Sequence, residues 1–182
     1  MKPEARPGIE TDRLFLHPLS MADAGTLYRI SNEPPVRRYL WDGEPVSKAT
    51  ILEIIAESRR MFSESGVGLF GVWIRGELNG FCGFCRTAGG AGEIELSYKI
   101  SSRLWGHGLA TEAARACLGY ALTWTNVKRV VAGADEPNTA SLRVIEKLGM
   151  KRVEIPPGQP GVSYFAISRE DFLAAAGDGT SG

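Results

Sequence analysis

Residues 93–100, EIELSYKI, alternate between polar and apolar positions: Glu93, Glu95, Ser97 and Lys99 on one face, Ile94, Leu96, Tyr98 and Ile100 on the other. That two-residue period predicts a strand with one face in a core. Upstream, RLFLHPL predicts a short first strand, and Ser20 followed by Asp23 predicts a helix start. Ala24, Leu27, Tyr28 and Ser31 share one face of that helix, which the Pro34–Pro35 pair is expected to end. Ser47 is a candidate cap for a second helix, with Ile51, Ile54, Ile55, Ser58, Met61 and Phe62 at helical spacing. LFGVWIR and LNGFCGFCR, joined by RGE, read as a hairpin.

A loose GGAG loop at 89–92 precedes EIELSYKI. After it comes a glycine segment, then a helix whose buried side is expected to carry Leu109, Ala113, Ala116, Cys117, Tyr120 and Trp124. KRVVAGA predicts a strand, and TASLRVIEKLG a helix capped by Gly149. A short strand near 151–155, a PPGQPG loop and the strand SYFAIS follow, and REDFLAAA suits a last helical turn or two. This order predicts an α+β fold: a single mixed, mostly antiparallel sheet of about seven strands with helices on both faces. One domain is expected over residues 9–176, with loose tails at 1–8 and 177–182.

Formal net charge is zero over 182 residues. With no global field to gather nucleic acid or an anionic membrane, neither is an expected partner, and any anion must be held by a local device. The first residues do not resemble a signal peptide and no apolar run approaches membrane-spanning length, so a cytoplasmic chain is expected. Monomer and homodimer both stay open. Cys82 and Cys85 form a CxxC, but positions three apart on a strand point to opposite faces. With Cys117 they are expected to be small core residues, and no metal site is expected.

The segment RLWGHGLATEA places Gly106 and Gly108 at a helix entrance. A dinucleotide fingerprint would need a third glycine where Thr111 stands, and the lysine of a nucleotide phosphate loop is absent. Two readings remain: glycines that merely let the backbone bend, or an anion cradle. In the second, unpaired helix amides meet a diphosphate that no side chain holds off.

Arg103, Gly106 and Gly108 fit the Q/R-x-x-G-x-G/A motif of the GNAT superfamily of acyl-CoA-dependent N-acetyltransferases. WGHGLATEA, TDRLFLHPLSMADA and PNTASLRVIEKLGM resemble its RimJ/RimL-type branch. The resemblance spans roughly residues 10 to 170 and implies acetyl-CoA as cosubstrate. It implies a strand 93–100 that splays from its neighbour at a bulge, with Tyr98, Lys99 and Ile100 meeting the pantetheine arm. The diphosphate would lie on the backbone of Gly106, His107, Gly108, Leu109, Ala110 and Thr111, with Arg103, Trp105 and Asn138 also near the coenzyme. Glu93 aligns best with the branch's glutamate base, with Glu95 in reserve. A tyrosine donor common in the superfamily is replaced here by Ile145, and Ser141 takes the place of the branch's serine donor to the leaving sulfur. Tyr39, Trp41, Asp42 and Glu44 match a loop that often walls the acceptor site. The implied acceptor is a primary amine, either a protein N-terminus or a small molecule. Ile145 keeps a non-catalytic acyl-CoA sensor as the alternative.

Overall fold

The computed structural model describes residues 8–39, 43–87, 93–154 and 159–177. Trp41, Asp42, the GGAG loop, the first half of PPGQPG and most of both tails lie outside the described residues. Strands β1 (Ile9–Glu10), β2 (Phe15–Pro18), β3 (Leu69–Ile74), β4 (Glu77–Arg86), β5 (Ile94–Ile100), β6 (Arg129–Asp135), β7 (Lys151–Val153) and β8 (Val162–Ser168) form one sheet, in the order β1-β2-β3-β4-β5-β6-β8-β7. All neighbours are antiparallel except β5 and β6. The eighth strand, beyond the expected seven, is β1, whose two residues pair Ile9 with Leu16 and Glu10 with Phe15.

Helices α1 (Ala24–Ser31) and α3 (Lys48–Ser65) cover one face of the β2–β4 half, where Leu27, Ile51 and Ile55 meet Leu69, Leu78 and Phe81. Helix α4 (Leu109–Trp124) covers the other face, burying Ala113, Cys117, Leu118 and Leu122 against Phe70, Phe84, Leu96 and Val130. Burial of each large apolar side chain contributes about 1.5–3 kcal/mol. Cys82 joins the α4 cluster and Cys85 packs against the α1–α3 cluster, so the two thiols of the CxxC lie on opposite faces as expected.

Ser47 caps α3, its Oγ accepting from the Thr50 amide at 3.0 Å. The Asp23 carboxylate takes both the amide and the hydroxyl of Ser20 at the entrance to α1. Four expectations change or are extended. Pro34 and Pro35 open a new short helix, α2 (Pro34–Arg37), because proline suits a first turn whose amides have no partner. Tyr28 is exposed, and Ile30 takes its place on the buried stripe of α1. Trp124 is 60 % exposed at the frayed end of α4, where Ala121 and Leu122 supply the last buried contacts. The C-terminal segment forms a longer helix than expected, α6 (Arg169–Gly177). No helix among the described residues is long and apolar enough to cross a membrane.

Candidate active site

The sheet divides between β5 and β6. Strand β5 pairs with β4 along its whole length, from Gly80↔Ile100 to Arg86↔Ile94, without a register shift. With β6 it pairs only at Ile94↔Val130 and Glu95↔Val131. Strand β6 is in turn held by β8 from Arg129 to Asp135. A gap therefore opens between 96–100 and 132–135, and it arises by divergence of two well-held strands and not at the expected bulge. Backbone N–H and C=O groups on such an edge are ready to pair with an extended ligand.

The gap leads to the α4 entrance through a turn fixed by Glu33, which precedes α2. One carboxylate oxygen of Glu33 accepts from Ser101 Oγ at 2.8 Å, the other from the Ser102 amide and hydroxyl at 2.7 Å each. Partial burial opposes the charge on Glu33, but these hydrogen bonds and nearby Arg103 prevail and hold its pKa below the ordinary carboxylate value. Trp105 Nε1 donates to the Ile100 carbonyl at 2.8 Å, so that oxygen already has a partner. Gly106 and Gly108 adopt φ of 80° and 76°, the left-handed region that side chains disfavour. Gly108 is the N-cap of α4, and no side chain caps the helix. A Cβ at Gly106 would meet nothing within 4 Å. The glycines thus serve the backbone turn, and no side chain caps the first amides of α4.

Two residues that the sequence reading missed complete this rim. Arg13, between β1 and β2, donates to the His107 carbonyl at 2.8 Å and to Glu112 of α4 at 2.6 Å. Glu112 also accepts from Thr11 Oγ1 at 2.6 Å and the Arg13 amide at 3.0 Å. Burial pushes the Glu112 pKa up, but these partners outweigh it and the net shift is downward. An acid in the first turn of α4 is thereby neutralised, and a guanidinium stands beside Gly108. No local signal reveals this pairing, since the partners lie 99 residues apart. A groove of about 550 Å³ continues along α4 past Thr111, Arg115 and Lys147. Arg103 turns instead to β4, donating to Asn79 at 2.6 Å, and His107 is exposed.

The candidate chemical groups separate by environment. Glu93 is ion-paired with Arg129 at the closed end of the gap. Glu95, at the last β5–β6 pair, is half-buried and its pKa is raised by burial, partly opposed by the Gly133 amide. On the same strand face Lys99 is only 5 % exposed, contrary to a solvated position. Its Nζ donates to Ser31 Oγ at 3.2 Å and lies 5.3 Å from the Phe81 ring centre. Burial lowers the Lys99 pKa to about 7. On the opposite face Tyr98 reaches helix α5 (Thr139–Lys147), its hydroxyl 2.7 Å from Ser141 Oγ and 3.2 Å from the Ser141 carbonyl. Asn138 caps α5, its side chain accepting from the Ser141 amide at 3.1 Å. Ile145 is fully buried. Tyr39 lies under the Arg38 guanidinium and Glu44 is exposed, whereas Trp41 and Asp42 lie outside the described residues.

The family model for the acetyltransferase (GNAT) domain matches residues 13–151. Protein YkkB of Bacillus subtilis (strain 168) is 34% identical over 153 residues, covering 80% of this chain and 86% of its own. An acetyltransferase structure from Agrobacterium tumefaciens str. C58 has a TM-score of 0.78 at 24% identity, over 89% of this chain and 94% of that one. RimL, the ribosomal L7/L12 alpha-N-protein acetyltransferase solved with coenzyme A, has a TM-score of 0.75 at 14% identity, over 90% and 99%.

Proposed function

The chain belongs to the GNAT acetyltransferase family and is an acetyl-CoA-dependent acetyltransferase, and from that premise we propose that it acetylates a primary amine by direct attack, with Glu95 as general base and Ser141 as hydrogen-bond donor to the leaving sulfur. The observation that carries this reading is the β5–β6 gap ending at a helix entrance that no side chain caps. The strand edge at 96–100 suits the amide-bearing pantetheine arm, as an added strand would pair. The backbone of residues 106–111, with Arg13 at its rim, suits the diphosphate. The coenzyme's other end is suited by the groove beside Arg115 and Lys147.

The strand amides polarise the thioester carbonyl as its oxygen gains charge. An amine attacks only when neutral, which is easier for an α-amine with a pKa near ~8 than for a lysine near ~10.4. Its nitrogen must also lose a proton as the new amide forms. Glu95 is supported over Glu93 as the acceptor of that proton by two observations. Glu93 has its charge matched by Arg129, whereas Glu95 is desolvated and therefore more basic than an ordinary carboxylate. Family membership supports turnover over the sensor alternative. The acceptor we propose is a protein N-terminus or a small-molecule primary amine.

Release of CoA thiol in the presence of a panel of primary amines, including short peptides with free N-termini, tests the assignment. Glu95→Gln is expected to lower kcat about 100-fold, and Glu93→Gln to change it by less than about threefold. The base acts as carboxylate, so activity is lost as pH falls through the Glu95 pKa. Because burial raises that pKa, the acid limb lies above the ordinary glutamate value, and Glu95→Gln removes it. A larger effect from Glu93→Gln, or an unchanged limb in Glu95→Gln, overturns the assignment.

A further inference from the structure

One hydrogen bond that bridges the two halves of the site joins two hydroxyls. Tyr98 stands on β5 and Ser141 in the first turn of α5, 43 residues apart, with their oxygens at 2.7 Å. We propose that the Tyr98 side chain is a positioning residue for Ser141, its hydroxyl setting the direction in which Ser141 donates and so helping to lower the basicity of the departing sulfur. This rests on the role proposed above for Ser141.

The geometry permits two arrangements of the same protons. In one, Ser141 Oγ donates to the Tyr98 hydroxyl, which donates to the Ser141 carbonyl at 3.2 Å. In the other, Tyr98 donates to Ser141 Oγ and the Ser141 proton is released toward the gap. A hydroxyl rotor costs little to turn, so charge gathering on sulfur selects the second arrangement. As the C–S bond breaks, its electron pair stays on sulfur and the carbonyl carbon keeps its new bond to nitrogen. The nitrogen's proton leaves through Glu95. Ser141 and Tyr98 keep their own protons, because a thiolate is far less basic than an alkoxide and less basic than a phenolate whose acid is pushed up by burial. They act as a two-link donor chain, and the thiol is protonated from solvent afterwards. Burial pushes the Tyr98 phenol up to about 12 in spite of its bond to Ser141, so it remains a donor throughout the working range. The Asn138 cap holds the Ser141 backbone while this exchange occurs.

The test needs no acceptor. The thiol of enzyme-bound CoA is titrated by its thiolate absorbance, with the desulfo-CoA complex as blank, in the unaltered protein, Tyr98→Phe, Ser141→Ala and the double variant. CoA affinity is checked by calorimetry. Ser141→Ala is expected to raise the bound thiol pKa by about one to two units. Tyr98→Phe is expected to raise it by about half a unit, and the double variant no further than Ser141→Ala. Fluorotyrosine incorporation, which makes the phenol a stronger donor and does not depend on Tyr98→Phe folding, lowers the thiol pKa in the unaltered protein and not in Ser141→Ala. If Tyr98→Phe matches the unaltered protein while Ser141→Ala is raised, the Tyr98 role is overturned and Ser141 stands. Additive increments in the double variant also overturn it, since Tyr98 would then act independently. An unchanged value in Ser141→Ala overturns the role of Ser141 itself.

Discussion

A methyl group added at position 133 would stand 3.3 Å from Glu95 Oε1 and 3.2 Å from a ring carbon of Tyr164. Both contacts are tighter than ordinary packing, and the carboxylate is the softer of the two neighbours. Gly133→Ala is therefore expected to push Glu95 off its position and lower kcat about tenfold, leaving the KM for acetyl-CoA nearly unchanged. Steady-state kinetics at saturating acetyl-CoA measure the split. Loss of coenzyme affinity with kcat intact would instead mean that Gly133 serves the gap and not the base. The alternation of EIELSYKI identified which residues share a face, but not their surroundings. Glu93 and Glu95 look equivalent on one strand, and they differ because one lies beside Arg129 and the other over Gly133. Lys99 was equally opaque, since only the docking of α1 brings Ser31 over it.

The ends of helices do much of the positioning. Asn138 caps α5 and thereby fixes the first turn in which Ser141 sits. Asn138→Ala is expected to destabilise the protein by about 1 kcal/mol, a fall of about 2–4 °C in Tm for a chain of this size. It also lowers kcat, because the Ser141 amide loses its tether. Thermal melts and turnover together check this, and an unchanged Tm with unchanged kcat would contradict it. Most helix boundaries were legible from short signals of this kind: Ser47 before α3, the two glycines before α4, and Gly149 after α5. Pro34 and Pro35 told only half of their role: α1 ends at Ser31 ahead of them as expected, and they also open α2. Trp124 misled because helical period places it on the α4 stripe, while as the last residue of the helix it stays largely exposed.

The molecule as a whole is neutral, so the proposed hold on a polyanionic coenzyme rests on oriented backbone groups with a few local cations. The α+β class and the element order follow from period and punctuation, and the observed sheet agrees with them. Arg13 and Glu112 were not legible, because the β1–β2 connection and helix α4 meet only once the chain has closed its sheet. The same holds for Tyr98 and Ser141. No single stretch could reveal the gap itself, which depends on β5 following β4 while β6 follows β8. A crystal structure of the protein with CoA tests the central claim most directly. Diphosphate oxygens within hydrogen-bonding distance of the backbone amides at 106–111, and the pantetheine arm paired with the free edge at 96–100, are the predicted result. A coenzyme bound elsewhere, or a diphosphate held by side chains alone with the gap empty, would contradict it.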